Sequence, residues 1–239
     1  MNDRAVSEVI AFVLIFSIVI TSVGLLYTAG FGSIDQIQED ETDRSAQRAF
    51  SASAVALQDI QRGQGEHRAF DVELSGRTMA VNESLNLSVY VDGSYEASAT
   101  GGLVYGLGAD TKIVYQSGAV IRSDGPDSQT VIRGPEFTCR DSHAVVSIVS
   151  IDGPSGAVSS DGSIEIRADG PLPGDETLLT ATDSASKVSV EYDGTPYDDA
   201  WQRYFDDQGW DTVTDEKATC TVDDVAVRHV PIDLEFAGV

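Results

Sequence analysis

Few side chains in this 239-residue chain could do chemistry once its many acids are set aside. Three histidines are present, His67, His143 and His229, and two cysteines, Cys139 and Cys220. None of the histidines has metal-ligand spacing to a cysteine, so no zinc-type site is read. The adjacent pairs Asp198-Asp199, Asp206-Asp207 and Asp223-Asp224 invite a calcium or glycosidase reading. With 39 acidic residues in the chain, such adjacency is expected from composition alone, and a solvated surface accounts for it. No P-loop, dinucleotide fingerprint, His-Glu-x-x-His, Cys-x-x-Cys or Gly-x-Ser-x-Gly occurs. The Gly-rich run at residues 101–108 has no Lys and no following helix, so it reads as strand and turn. His143 and His229 lie in apolar runs and read as structural residues. The expectation is therefore no catalytic residue, no cofactor, no metal and no enzyme.

The charge balance narrows the class further. The formal charge is -24, from 26 Asp and 13 Glu against 12 Arg and only 3 Lys. Short hydrated carboxylates with almost no lysine suit a surface that must stay soluble in molar salt, where the Debye length falls to about 3 Å and self-repulsion is screened. This composition predicts a haloarchaeal source. It also argues against a nucleic-acid partner, because no basic patch exists to neutralise phosphates. An apolar content of 41% with only 7 Pro belongs to a folded chain, not to a disordered acidic tail. Outside the cell Cys139 and Cys220 would form a disulfide, provided the fold brings their Cα atoms within about 7 Å. The alternative is two buried thiols.

The elements that would position these groups begin with an uncharged apolar run over residues 9–29. That length spans a bilayer as a helix. It is longer than the apolar core of a secretory signal and lacks a small-residue cleavage site behind it. After it, Ile34, Ile37, Ala46, Ala49, Phe50, Ser53, Ala54, Leu57 and Ile60 recur at steps of three and four. The spacing predicts an amphipathic helix, continuous or nearly so with the first, stopping at Gly63 or Gly65. Gly24, Gly30 and Gly32 weaken helicity at the joint. A flexible acidic linker is the alternative.

From Phe70 the period changes to two. Leu85, Leu87, Val89 and Val91 alternate with polar residues, as do Ile164 and Ile166, and Val188, Val190 and Tyr192. Turn signals such as Asp92-Gly93, Asp152-Gly153 and Asp193-Gly194 bound many such runs, which predicts an antiparallel sheet or sandwich. One segment, with Trp201, Tyr204 and Phe205 at helical spacing, predicts a short helix over residues 197–208, packed by its rings. The fold expected is α+β: a long N-terminal helix, transmembrane and then amphipathic, followed by an antiparallel β domain carrying one short helix. The corresponding segments are residues 1–5, a short leader; 6–30, the membrane span; 31–63, the amphipathic helix; and 64–239, the β-rich domain.

The start, Arg4-Ala5-Val6-Ser7 followed by Val9-Ile10 and the apolar run, resembles the N-terminus of haloarchaeal type IV pilins and pilin-like surface proteins. The resemblance covers residues 4–30. It implies that a prepilin peptidase cuts between Ala5 and Val6, leaving the apolar helix in the mature protein. Glu8 stands where proline is usual, which places the chain nearer the pilin-like proteins than a major adhesion pilin. By this resemblance other pilin-like subunits are partners through the N-terminal helix, bundled in a filament core. Glu8 would there pair with the amine of Val6 on a neighbouring subunit, or else sit at headgroup level. Arg4 before the span and Asp35, Glu39, Asp40, Glu41 and Asp43 after it place the amino end in the cytoplasm and the body outside. Two sequons, at Asn82 and Asn86, could then be glycosylated. The function expected is a structural or adhesive one in a surface filament. The rival is a permanently anchored single-pass protein with a ligand-binding β domain.

Overall fold

The computed structural model describes residues 3–172, 177–192 and 195–237, and leaves out the side chains of residues 3–8, 28–40 and 178. The Asp193-Gly194 turn signal thus lies outside the described residues. The chain divides into two compact units, Met1–Arg44 and Ser45–Val239. Helix α1 (Asp3–Gln61) contributes to both. Gly24, Gly30 and Gly32 do not interrupt it.

Within the second unit the face of α1 made by Ala46, Phe50, Ala54, Leu57 and Ile60 is buried, at successive steps of four, four, three and three residues. The helix stops where the chain turns left-handed at Gly63, φ +72°. The Gly63 N–H donates to the Ile60 carbonyl at 2.9 Å and the Gln64 N–H to the Asp59 carbonyl at 2.8 Å. This is the two-bond Schellman closure that satisfies the last carbonyls of a helix.

The strands follow in chain order: β1 (His67–Glu73), β2 (Thr78–Val81), β3 (Asn86–Val91), β4 (Ser94–Thr100), β5 (Gly102–Tyr105), β6 (Lys112–Gln116), β7 (Ala119–Ser123), β8 (Gln129–Arg133) and β9 (Glu136–Arg140). Then come β10 (His143–Asp152), β11 (Ala157–Ser159), β12 (Ser163–Asp169), β13 (Leu178–Thr182), β14 (Lys187–Glu191), the helix α2 (Asp198–Asp207), β15 (Thr212–Val213), β16 (Lys217–Thr221) and β17 (Asp224–Ala237). They form three sheets. The first runs β1-β12-β17-β10-β9 with β13 also on β17; the second runs β11-β2-β5-β6-β7-β8; the third runs β15-β16-β14-β3-β4. The protein is α+β, with a long N-terminal helix and mostly antiparallel sheets.

One pairing departs from the antiparallel expectation. Strands β10 and β17 are parallel over ten residues, from His143 opposite Asp224 to Asp152 opposite Asp233. A parallel neighbour requires a long crossover, and here β11 to β16 and α2 supply it. No local turn signal could announce such a pair.

The second unit holds two apolar cores. In one, Leu87 and Val89 of β3 and Val188 and Val190 of β14 meet Trp201 and Phe205 of α2. In the other, the buried face of α1 meets Ile164 and Ile166 of β12 and Tyr105 of β5. The sheet containing β5, β6 and β7 serves both. Val104, Val114 and Ile121 belong to the first core, and Leu103, Ile113 and Val120 to the second. These strands are buried on both faces, which is why they read as unbroken apolar runs while β3, β12 and β14 alternate.

Helix α2 is a platform of rings centred on Phe205. Trp210 stands edge-on to it at 4.7 Å between centroids, Tyr204 at 5.3 Å, Tyr192 stacks at 5.6 Å and Trp201 at 5.9 Å. The Trp201 indole N–H donates to Gln116 Oε1 at 3.1 Å, so the one polar edge of that ring is satisfied. Tyr204 is largely buried, and burial pushes its hydroxyl up to about 12. Beside this core a disulfide joins Cys139 of β9 to Cys220 of β16, with Cα atoms 6.0 Å apart.

Two outcomes follow for stability. Phe205→Ala removes the hub ring and is expected to cost about 3–5 kcal/mol, read from denaturant unfolding of the full chain. Reducing the disulfide frees a loop of 81 residues. The chain-entropy relation then gives a loss of about 4.5 kcal/mol, to be read as a lower thermal midpoint by calorimetry with and without a thiol reductant. An unchanged midpoint would mean the unfolded chain gains no freedom when the bond opens.

Candidate functional site

The segment Val9–Tyr27 of α1 is the most exceptional surface of the protein. It is 19 residues long, apolar enough to cross a membrane, and none of it is buried within the structure. Successive positions step around the helix by about 100°, so the exposed Val9, Ile10, Phe12, Leu14, Ile15 and Ile18 together occupy every side of it. At 1.5 Å per residue the segment is about 28 Å long, close to the hydrocarbon thickness of a bilayer. The Ser22 hydroxyl donates back to the Ile18 carbonyl at 2.7 Å, which removes its hydrogen-bonding demand on the surroundings. Phe12 and Phe16 stack one turn apart, 6.1 Å between centroids. A helix apolar all round, with no protein covering it, suits lipid or other helices and not water.

The residues read as a processing signal, Arg4, Ala5 and Val6, and the assembly residue Glu8 lie in the helical backbone of α1, and their side chains fall outside the described residues. The two sequon asparagines differ in setting. Asn82 is half-buried, and its Oδ1 accepts from the Ser84 N–H at 3.1 Å and the Ser84 hydroxyl at 2.7 Å. Asn86 is exposed at the first position of β3, with its Nδ2 donating to the Ser88 hydroxyl at 3.4 Å.

The structure does not gather the three histidines. His67 pairs with Asp169 at the end of β1. His143 sits exposed on β10, its Nδ1 2.7 Å from Asp224 Oδ2. His229, half-buried on β17, is 2.7 Å from the Ser150 hydroxyl on β10. Burial lowers the His229 pKa, because the charged imidazolium is poorly solvated there. The acid pairs Asp198-Asp199 and Asp206-Asp207 are exposed on α2. Among the described residues, a set of three ligand atoms is close enough for a metal only at Cys139, Asp211 and Cys220. There the two sulfurs are bonded to each other, so no thiolate is present to bind one.

Among the described residues of the second unit, two clefts are of the size of a small-molecule site and lie beside a histidine. One of about 510 Å³ is shallow and lined by His143, Val145, Ala181 and Asp224. A cleft of about 660 Å³ is lined by Glu83, Thr100, Gly101, Ser150, His229 and Asp233. No motif or spacing in the sequence marks either cleft. Ser150 and His229 are 79 positions apart, and only the parallel pairing of β10 and β17 brings them together.

No curated protein matches this chain. Residues 4–235, nearly the whole chain and including both the apolar helix and the β-rich unit, match the profile of a family of unknown function (DUF7289), and the protein belongs to that family.

Proposed function

We propose that this protein is a membrane-anchored, pilin-like structural or adhesion subunit, held by Val9–Tyr27 and presenting its β-rich unit outside the cell. The observation that carries the reading is the uncovered apolar helix, with Arg4-Ala5-Val6 before it and no charge within it. A subunit that is first stored in a bilayer and then bundled needs such a helix. Each lipid contact must be replaceable by a helix contact, which a charged or strongly polar side would prevent. Residues 45–61 of α1 add a second support. Their burial against the strands makes this part of α1 an integral element of the β-rich unit. Arg4 on one side of the span and Glu41 and Asp43 on the other favour a cytoplasmic amino end. The disulfide fits an oxidising exterior.

A second reading, a permanent anchor whose β-rich unit binds a ligand, draws on the cleft beside His229. The two part at the peptide bond between Ala5 and Val6. Under the filament reading, substituting Arg4 and Ala5 blocks processing by the prepilin peptidase and removes the protein from sheared surface filaments. Under the anchor reading the same variant behaves as wild type. Glu8→Gln separates the roles further. If Glu8 neutralises the amine of Val6 on a neighbour, losing that partly buried pair lowers filament yield by more than about tenfold, while membrane insertion is unchanged. Unchanged yield would remove the pairing.

The charge of -24 carries its own test. Calorimetry of the full chain in detergent should give a thermal midpoint that rises steadily from low to molar potassium chloride, as self-repulsion is screened. A midpoint independent of salt would contradict a halophilic surface.

A further inference from the structure

We propose that Ser150 is a nucleophilic serine with His229 as its general base, competent to take the acyl group of a small neutral ester. The inference goes beyond the structural reading and does not depend on it. Three features meet at this point. The Ser150 hydroxyl and His229 Nε2 are 2.7 Å apart, the separation at which an imidazole takes a serine proton. The Thr100 backbone N–H donates to the same Ser150 oxygen at 3.1 Å. That oxygen accepts from Thr100, and in the tautomer protonated at Nδ1 the imidazole Nε2 accepts the Ser150 proton. Burial favours the neutral imidazole, the form that can accept it.

The backbone is built to hold this arrangement. Ser150 continues the core-facing side of β10 after Val146 and Ile148, and His229 continues that of β17 after Val225 and Val227. Both groups therefore stand on paired central strands and not on loops. Thr100 reaches them because Gly101 follows it with φ +80°. A Cβ at Gly101 would lie 1.9 Å from the Ile151 carbonyl oxygen, so no side chain fits where this turn presses on β10. The pair opens into the cleft of about 660 Å³, within the range of small-molecule sites. The exposed Pro231 gives the cleft an apolar edge, and Glu83, Asp152 and Asp233 line it with carboxylates, which disfavours an anionic substrate.

In the step proposed, Ser150 Oγ bonds to the ester carbonyl carbon and its proton passes to His229 Nε2. The Thr100 N–H, 3.1 Å from Ser150 Oγ, stabilises the charge that develops on that oxygen as its proton leaves. The carbon–oxygen bond to the alcohol breaks, and the alcohol leaves with the proton from His229. Water then attacks the acyl-serine by the same path and releases the carboxylic acid.

The test is labelling of the full chain, folded in detergent, with diisopropyl fluorophosphate. A phosphorus–oxygen bond to Ser150 forms, fluoride leaves, and the serine proton is taken by His229. Peptide mass spectrometry should place one diisopropylphosphoryl group on Ser150. The wild type in denaturant should not be labelled there, and His229→Gln should slow the labelling by about a hundredfold or more. Absence of an adduct on Ser150 in the folded wild type would overturn the proposal, whether or not the variant folds. So would equal labelling of His229→Gln, or of the denatured chain, since either would show that the imidazole does not activate the hydroxyl.

Discussion

Two strands that must serve two cores set the plan of the β-rich unit. Side chains alternate across a strand, so one that is apolar on a single face can feed only one core. Strands β10 and β17 escape this by changing phase along their length. Val146 and Ile148 face the first core, and Val149 and Ile151 the second. On β17 the change falls between Val227 and Val230. Because the pair is parallel and in register over ten residues, both strands change phase at about the same level. At the change the apolar pattern gives way to polar residues on both strands, Ser147 and Ser150 on β10 and Arg228 and His229 on β17.

Those polar groups are satisfied by the elements that cover them. The Gln61 side chain, at the end of α1, donates to the Ser147 carbonyl at 2.9 Å and to its hydroxyl at 2.8 Å, so the helix closes the second core and satisfies β10 together. The next turn adds charge-assisted contacts: Gln58 Nε2 and Arg62 Nε both donate to Glu136, at 2.9 and 2.6 Å. Apolar burial of Phe50, Leu57 and Ile60 supplies the larger stabilisation, and the polar bonds set the helix in register. Residues 45–61 thus belong with the β-rich unit although they continue the helix that carries the apolar run Val9–Tyr27.

Legibility in the sequence followed solvent exposure. Strands β3, β12 and β14 alternate visibly because one face meets water, and the period-two pattern marks them. The α1 stem and the ring-bearing α2 were readable from spacings of three and four, since Phe50, Leu57, Trp201 and Phe205 recur as a helix requires. Strands β4 and β16 were not readable: SYEASAT and KATCT carry small and polar residues whose strand state depends on their neighbours in the sheet. The parallel pairing of β10 with β17 had no local signal, and with it went the meeting of Ser150 and His229. Cys139 and Cys220 could be suspected of pairing, but only the placement of β9 beside β16 brings their Cα atoms within bonding reach.

The proposed function rests on the segment Val9–Tyr27, which is apolar on every side and uncovered by protein. Such a segment suits lipid and, under the proposed reading, packing among copies of itself. The decisive measurement is the mature amino terminus of the protein, taken by mass spectrometry from native membranes and from sheared surface material. The account predicts a chain beginning at Val6 in both fractions. A chain beginning at Met1 or Asn2 would contradict it and leave a permanent anchor in its place.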